Sequence, residues 1–115
     1  LEWLKIFQLQ QFKNTAFDDL SFGTQRLILI IRAMVKSPAI LVLDEPTLGM
    51  DSYNRKIVLE AIDHIARNSR TQIIFISHSL GERPTCINQE LHFKPSGNTY
   101  TVSVTETAVQ SLSSQ

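Results

Sequence analysis

Apolar and polar positions in this chain alternate with several periods, and each change of period marks a different element. Leu27, Ile28, Leu29, Ile30, Ile31, Ala33, Met34 and Val35 form a dense apolar run broken only by Arg32. Ser21 is a good N-cap ahead of it and Ser37-Pro38 a stop behind it, so the pattern predicts a helix from Phe22 toward Lys36. The series from Leu27 to Val35 is expected in the core. Next, Ala39-Ile40-Leu41-Val42-Leu43 reads as a buried strand that delivers Asp44 and Glu45 to its end, where Pro46 stops it. Leu48-Gly49-Met50-Asp51 reads as a loop, with Asp51 capping a second helix from about Ser52 to Arg67. Ile57, Val58, Ala61, Ile62 and Ile65 fall on one face of that helix at helical spacing. Gln72-Ile73-Ile74-Phe75-Ile76-Ser77-His78 is a β-branched and aromatic strand ending in a histidine.

The flanks are more polar. Residues 1–9 read as a helix with Trp3, Leu4 and Phe7 as apolar anchors, and residues 8–14 contain a turn. Glu82-Arg83-Pro84 is a breaker, and Pro84 can start a short helix through Asn88. Residues 90–94 and 98–104 flank Pro95-Ser96-Gly97 and read as a β-hairpin. Residues 105–115 are rich in Ser and Thr and are expected to be disordered. The expected organisation is one α/β unit over residues 1–104 and a tail over 105–115, with no internal repeat.

The strand, helix and strand between Ile40 and His78 have the length of one βαβ crossover, which brings both strand tips to the same sheet edge. Ligands gather at the carboxyl ends of strands in open α/β sheets. Asp44 and Glu45 at one tip, with His78 at the other, are therefore candidate chemistry. Two adjacent carboxylates repel unless a cation sits with them, and a metal role explains the pair. Alone, the pair reads equally well as an acidic turn after a buried strand. Ser21 and Gly23 open a helix whose free N–H groups and positive dipole end suit phosphate, or simply cap a core helix.

In this order the elements resemble the second half of an ATP-binding-cassette (ABC) nucleotide-binding domain. Leu20-Ser21-Phe22-Gly23-Thr24 resembles its signature motif, Arg32-Ala33 the Arg-Ala that follows it, and Ile40 to Glu45 the Walker B strand with its catalytic Glu. Gly49-Met50-Asp51 resembles the D-loop and His78 the switch histidine. Phe22, the Gln25-Arg26-Leu27 run, the Pro84-Thr85-Cys86-Ile87 turn and Leu91-His92-Phe93-Lys94-Pro95 look most like tandem-cassette molybdate-transport or photorepair ATP-binding proteins.

That resemblance implies a P-loop NTPase-like partial domain, with parallel strands flanked by helices and a C-terminal β-hairpin. It implies ATP as substrate, Mg²⁺ at Asp44, Glu45 and His78 as catalytic residues, and Ser21, Gly23 and Asp51 as nucleotide or cross-dimer contacts. Partners implied are a second nucleotide-binding domain and a membrane permease subunit, with a cytoplasmic location, peripheral at the inner membrane. Three departures stand out. Phe22 replaces the first signature Gly, Thr24 its Gln, and Met50 the usual D-loop Leu, the last a volume-conserving change.

No Gly-x-x-x-x-Gly-Lys-[Ser/Thr] phosphate loop occurs, and the chain opens at Leu1. The expectation is the C-terminal part of a longer ATP hydrolase, inactive by itself, with an open sheet edge that invites self-association. The rivals are a DNA-repair or chromosome-maintenance ATPase with the same motifs and a non-catalytic dimerisation module.

Composition narrows the partners. Over 115 residues, 11 Lys and Arg balance 11 Asp and Glu, which gives no nucleic-acid surface. The single Cys86 forms no internal disulfide, in keeping with a reducing compartment. His64 and His92 lack partner patterns and are read as structural, and Asp18 and Asp19 as a solvated turn.

Overall fold

Helix α1, Phe22–Met34, begins where the Ser21 side chain accepts a hydrogen bond from the Thr24 backbone N–H at 3.2 Å. The same device opens α2, Ser52–Asn68, where Asp51 accepts from the Asn54 N–H at 2.8 Å. Each cap satisfies an amide that the helix itself leaves unpaired. Both caps are the residues expected from the sequence. α1 ends short of Lys36, and Ser37 takes a left-handed φ of 49° ahead of Pro38. The computed structural model describes residues 7–78 and 81–106, and the chain divides into two compact units, Leu1–Glu82 and Arg83–Gln115.

In the first unit, β1 (Ile40–Asp44) and β2 (Gln72–Ile76) pair in parallel, with α2 as the crossover between them. Thr71 Oγ1 donates to the Pro38 carbonyl at 2.7 Å and the Gln72 N–H to the Ala39 carbonyl at 2.9 Å, pinning the two strand starts together. Register then carries Asp44 opposite Ile76. Parallel pairing thus delivers both chemistry-bearing tips to one edge, as the crossover length requires.

The core lies along the helices. Leu27 and Ile31 of α1 cluster with Ala61 of α2 and with Leu9, while Phe7, Phe12, Ile28 and Ile57 pack against them. Val58, Ile62 and Ile65 of α2 are fully enclosed. Phe7 also meets the His64 ring edge-on at 5.5 Å, which makes His64 a packing residue. Trp3 and Leu4, and most of the helix expected over residues 1–9, lie outside the described residues. Phe7 and Gln8 form a turn, Gln8 at φ 58°, and a single 3₁₀ turn follows at Gln10–Phe12.

Two expectations about burial change. The series from Leu27 to Val35 is core on one face only, because Leu29 and Val35 face solvent. Strand β1 buries Leu41 and Leu43 but exposes Ile40 and Val42. Their register partners on β2 include the exposed Ile74, and Ile76 follows on the same face. One face of the two-stranded sheet thus exposes four large apolar side chains, Ile40, Val42, Ile74 and Ile76. Among the described residues no further strand joins this sheet.

The second unit is an antiparallel hairpin, β3 (Gln89–Ser96) and β4 (Thr99–Glu106), closed by Gly97-Asn98. Gly97 sits at φ 61°, the left-handed value that a tight two-residue hairpin loop requires. Both strands run longer than expected. Thr105 and Glu106 belong to β4, not to a disordered tail, because they pair with Glu90 and Gln89. The residues after them lie outside the described part. The short helix expected over residues 84–88 is absent. Thr85-Cys86 is only a turn, as five residues close too few hydrogen bonds to offset helix nucleation.

Candidate functional site

The carboxyl edge of the β1–β2 pair gathers three expected residues. Asp44 ends β1 and is exposed. Glu45 follows with a left-handed φ of 48°, unusual for a residue with a side chain. Its N–H still donates to the Ile76 carbonyl at 2.9 Å, extending the ladder one residue past the strand. Buried Pro46 next to it fixes the exit of the chain. The left-handed kink ends the regular strand between the two carboxylates.

His78 closes the site from the other tip. Its backbone N–H donates to Glu45 Oε1 at 2.5 Å, and its imidazole Nε2 lies 3.8 Å from the same oxygen. The Glu45 carboxylate is largely sheltered, whereas the imidazole is 87% exposed. One oxygen of Glu45 is thus engaged with the backbone, and the imidazole stands open for a ligand.

Two turns lead from Glu45 to α2. The Leu48 N–H donates to the Glu45 carbonyl and the Met50 N–H to the Thr47 carbonyl, both at 3.2 Å, with Gly49 at φ 79°. Arg55 clamps this loop. Its guanidinium donates to the Met50 carbonyl at 2.9 Å and to Glu82 at 3.0 Å, beyond His78 in the chain.

Ser21 and Gly23 stand apart from the carboxylates at the start of α1. Ser21 Oγ accepts from the Thr24 N–H and donates to Thr24 Oγ1 at 3.0 Å. The Gly23 N–H donates to Asn54 Oδ1 at 3.1 Å. Both groups expected to meet phosphate therefore have intramolecular partners. Phe22 is 66% exposed beside them. Gln25 braces the turn by donating to the carbonyls of Phe17 (2.9 Å) and Leu20 (3.2 Å). Asp18 and Asp19 lie in that exposed turn, as expected of solvated residues.

Sequence reasoning singled out neither Asn54 nor Arg55. The available signal was the spacing Asp51-x-x-Asn54, an N-cap followed three residues later by an amide side chain.

Mg²⁺ takes one or two carboxylates and completes its shell with water and substrate phosphate oxygens. The exposed Asp44 carboxylate beside Glu45 is a donor set of that kind. Among the described residues no group of three or more His, Cys, Asp or Glu forms a metal cage. Likewise, no helix among the described residues is long and apolar enough to cross a membrane.

A strand–helix–strand unit with paired carboxylates at one tip and a histidine at the other is an arrangement of the parallel α/β class. Residues 6–82 match the family described as "AAA domain, putative AbiEii toxin, Type IV TA system". The ABC transporter ATP-binding protein ModF of Escherichia coli K12 is 42% identical over 86% of this chain, which covers 20% of that protein. An aliphatic sulfonates import ATP-binding protein, SsuB of Bacillus thuringiensis, is 31% identical over 70% of this chain and 32% of its own length. A chain of an inward-facing ABC transporter superposes with a TM-score of 0.60 at 20% identity, covering 93% of this chain and 56% of that one. A dimeric ATP-binding cassette in a post-hydrolysis state, bound to ADP and Pi, gives a TM-score of 0.52 at 27% identity, over 69% of this chain and 34% of that one. The chain belongs to the AAA-domain family and is a partial ABC nucleotide-binding domain with the P-loop NTPase fold. It spans between a fifth and a third of the length of these two named relatives.

Proposed function

We propose that this chain supplies the signature and Walker B half of an ABC-type ATPase, completed by a phosphate loop from elsewhere in the polypeptide and by a second nucleotide-binding domain. The observation that carries this reading is Glu45, held in a left-handed turn at the strand tip with one oxygen on the His78 amide. That turn leaves the second carboxylate oxygen to orient or deprotonate a water. Asp44 holds Mg²⁺, largely through water, and the ion neutralises charge on the phosphates. The exposed His78 imidazole meets the γ-phosphate. Ser21 and Gly23 face the nucleotide held by the partner domain, and Asp51 lies at the contact between the two.

ATP as substrate is supported by relatives named as ATP-binding proteins and by the ADP-bound cassette. The same names favour transport over DNA repair. Identity to ModF, named as an ABC transporter ATP-binding protein, supports a transport role. The molybdate or photorepair subgroup, a permease partner and a place at the cytoplasmic face of the membrane belong to this proposal through the sequence resemblance alone.

Calorimetric titration of MgATP tests the reading. The 115-residue chain alone is expected to show no binding. The full-length polypeptide is expected to bind and hydrolyse ATP, and Glu45→Gln to remove hydrolysis while binding persists. Binding by the chain alone would demand a phosphate site without a P-loop and would overturn the assignment of roles.

A further inference from the structure

Gly23 is buried at the first turn of α1, and the group against it is not solvent but Asn54 of α2. A Cβ at Gly23 would lie 2.5 Å from Asn54 Oδ1 and 3.2 Å from its Cβ and Cγ, so the Asn54 side chain would have to shift. The amide orientation is fixed by both its ends. Oδ1 accepts from the Gly23 N–H at 3.1 Å, while Nδ2 donates to Asp51 Oδ1 at 3.1 Å. A flipped amide would set its NH₂ against an N–H and its oxygen against a carboxylate. Asp51 in turn accepts from the Asn54 N–H and caps α2. The side chain of Asn54 is thus a bridge between the turn that carries Ser21 and the loop that carries Asp51.

We propose that Asn54 is a positioning residue of the nucleotide site. It locks the Ser21–Gly23 turn of α1 to the Asp51 loop, so the two surfaces meet a partner-held phosphate as one rigid unit. Gly23 is a glycine here because Asn54 needs its space. The role rests on the function proposed above, but the contact itself does not. Asn54 touches no reacting atom and acts through Gly23 and Asp51.

A double-mutant cycle in the full-length polypeptide tests both parts. Thermal unfolding would be followed for Gly23→Ala, Asn54→Ala and the pair, with MgATP hydrolysis measured on each and on Asn54→Asp. Gly23→Ala is expected to lower the melting temperature in the native background and to be largely tolerated once Asn54 is Ala. An equal loss in both backgrounds would overturn the contact as the reason for Gly23.

Asn54→Asp keeps an acceptor for Gly23 but opposes Asp51 with a second carboxylate. It is expected to raise the KM for MgATP roughly tenfold, the effect of about one charged hydrogen bond, with kcat changed much less. Unchanged KM and kcat in both Asn54 variants would overturn the positioning role. A native polypeptide that neither binds nor hydrolyses MgATP would overturn the function proposed above and with it that role, while the unfolding cycle still decides the contact.

Discussion

The backbone N–H of His78 and the side chain of Glu45, 33 residues apart in sequence, meet across 2.5 Å at the carboxyl edge of the β1–β2 pair. This bond ties the two strand tips independently of any ligand. Glu45→Gln retains a carbonyl acceptor and is expected to shift stability by less than about 0.5 kcal/mol. Glu45→Ala leaves the amide without its partner and is expected to cost about 1 kcal/mol. Urea midpoints compare them. Equal losses would show that the bond contributes nothing to the fold.

The left-handed backbone of Glu45 gives a second expectation. Glu45→Val places a β-branched side chain at φ 48° and is expected to cost on the order of 1–3 kcal/mol beyond the alanine variant. Denaturant unfolding measures it. A loss no greater than that of Glu45→Ala would mean that the turn relaxes freely.

The two helix caps differ in what hangs on them. Ser21→Ala removes a cap from α1 and is expected to cost about 1 kcal/mol. Asp51→Ala removes the cap of α2 and also the acceptor of Asn54 Nδ2. It is expected to cost more, roughly 2 kcal/mol, at the upper end for cap loss. The reverse order would count against the Asn54 bridge.

Arg55 and Glu82 form a pair that should not respond symmetrically. Both side chains are partly exposed, so the ion pair contributes little, under about 1 kcal/mol, and salt screens it. Arg55 also holds the Met50 carbonyl. Arg55→Ala is therefore expected to destabilise more than Glu82→Gln, and the difference should survive in high salt. Unfolding curves at low and high ionic strength check this.

Core and surface on α1 and α2 give the last contrast. Ile62→Ala opens a cavity in a side chain with no exposure and is expected to cost about 2–5 kcal/mol. Val35→Ala, at an exposed position, should be close to neutral. Similar melting temperatures for the two would contradict the assigned core.

The sequence made the caps, both helices, the parallel pair and the hairpin legible because each carries a local signal. Ser21 and Asp51 are recognisable before an apolar run, and Ile57 to Ile65 keep a helical period. The left-handed φ of Glu45 was not legible, since a residue ahead of a proline is expected to stay extended. Asn54 was missed for a different reason. Its importance comes from Gly23, 31 positions away, and no periodicity reports a contact between two helix starts. The short helix expected after Pro84 shows the opposite error, a local signal with too few residues behind it.

The open face of the sheet has a calorimetric consequence. Ile40, Val42, Ile74 and Ile76 are already wet in the folded chain, so unfolding exposes less new apolar surface than in a closed domain of this size. The heat-capacity increment should fall below the roughly 1.2–1.5 kcal/mol/K usual for about 100 residues. A chain with so small an increment has a flat stability curve, nearly as stable in the cold as at room temperature.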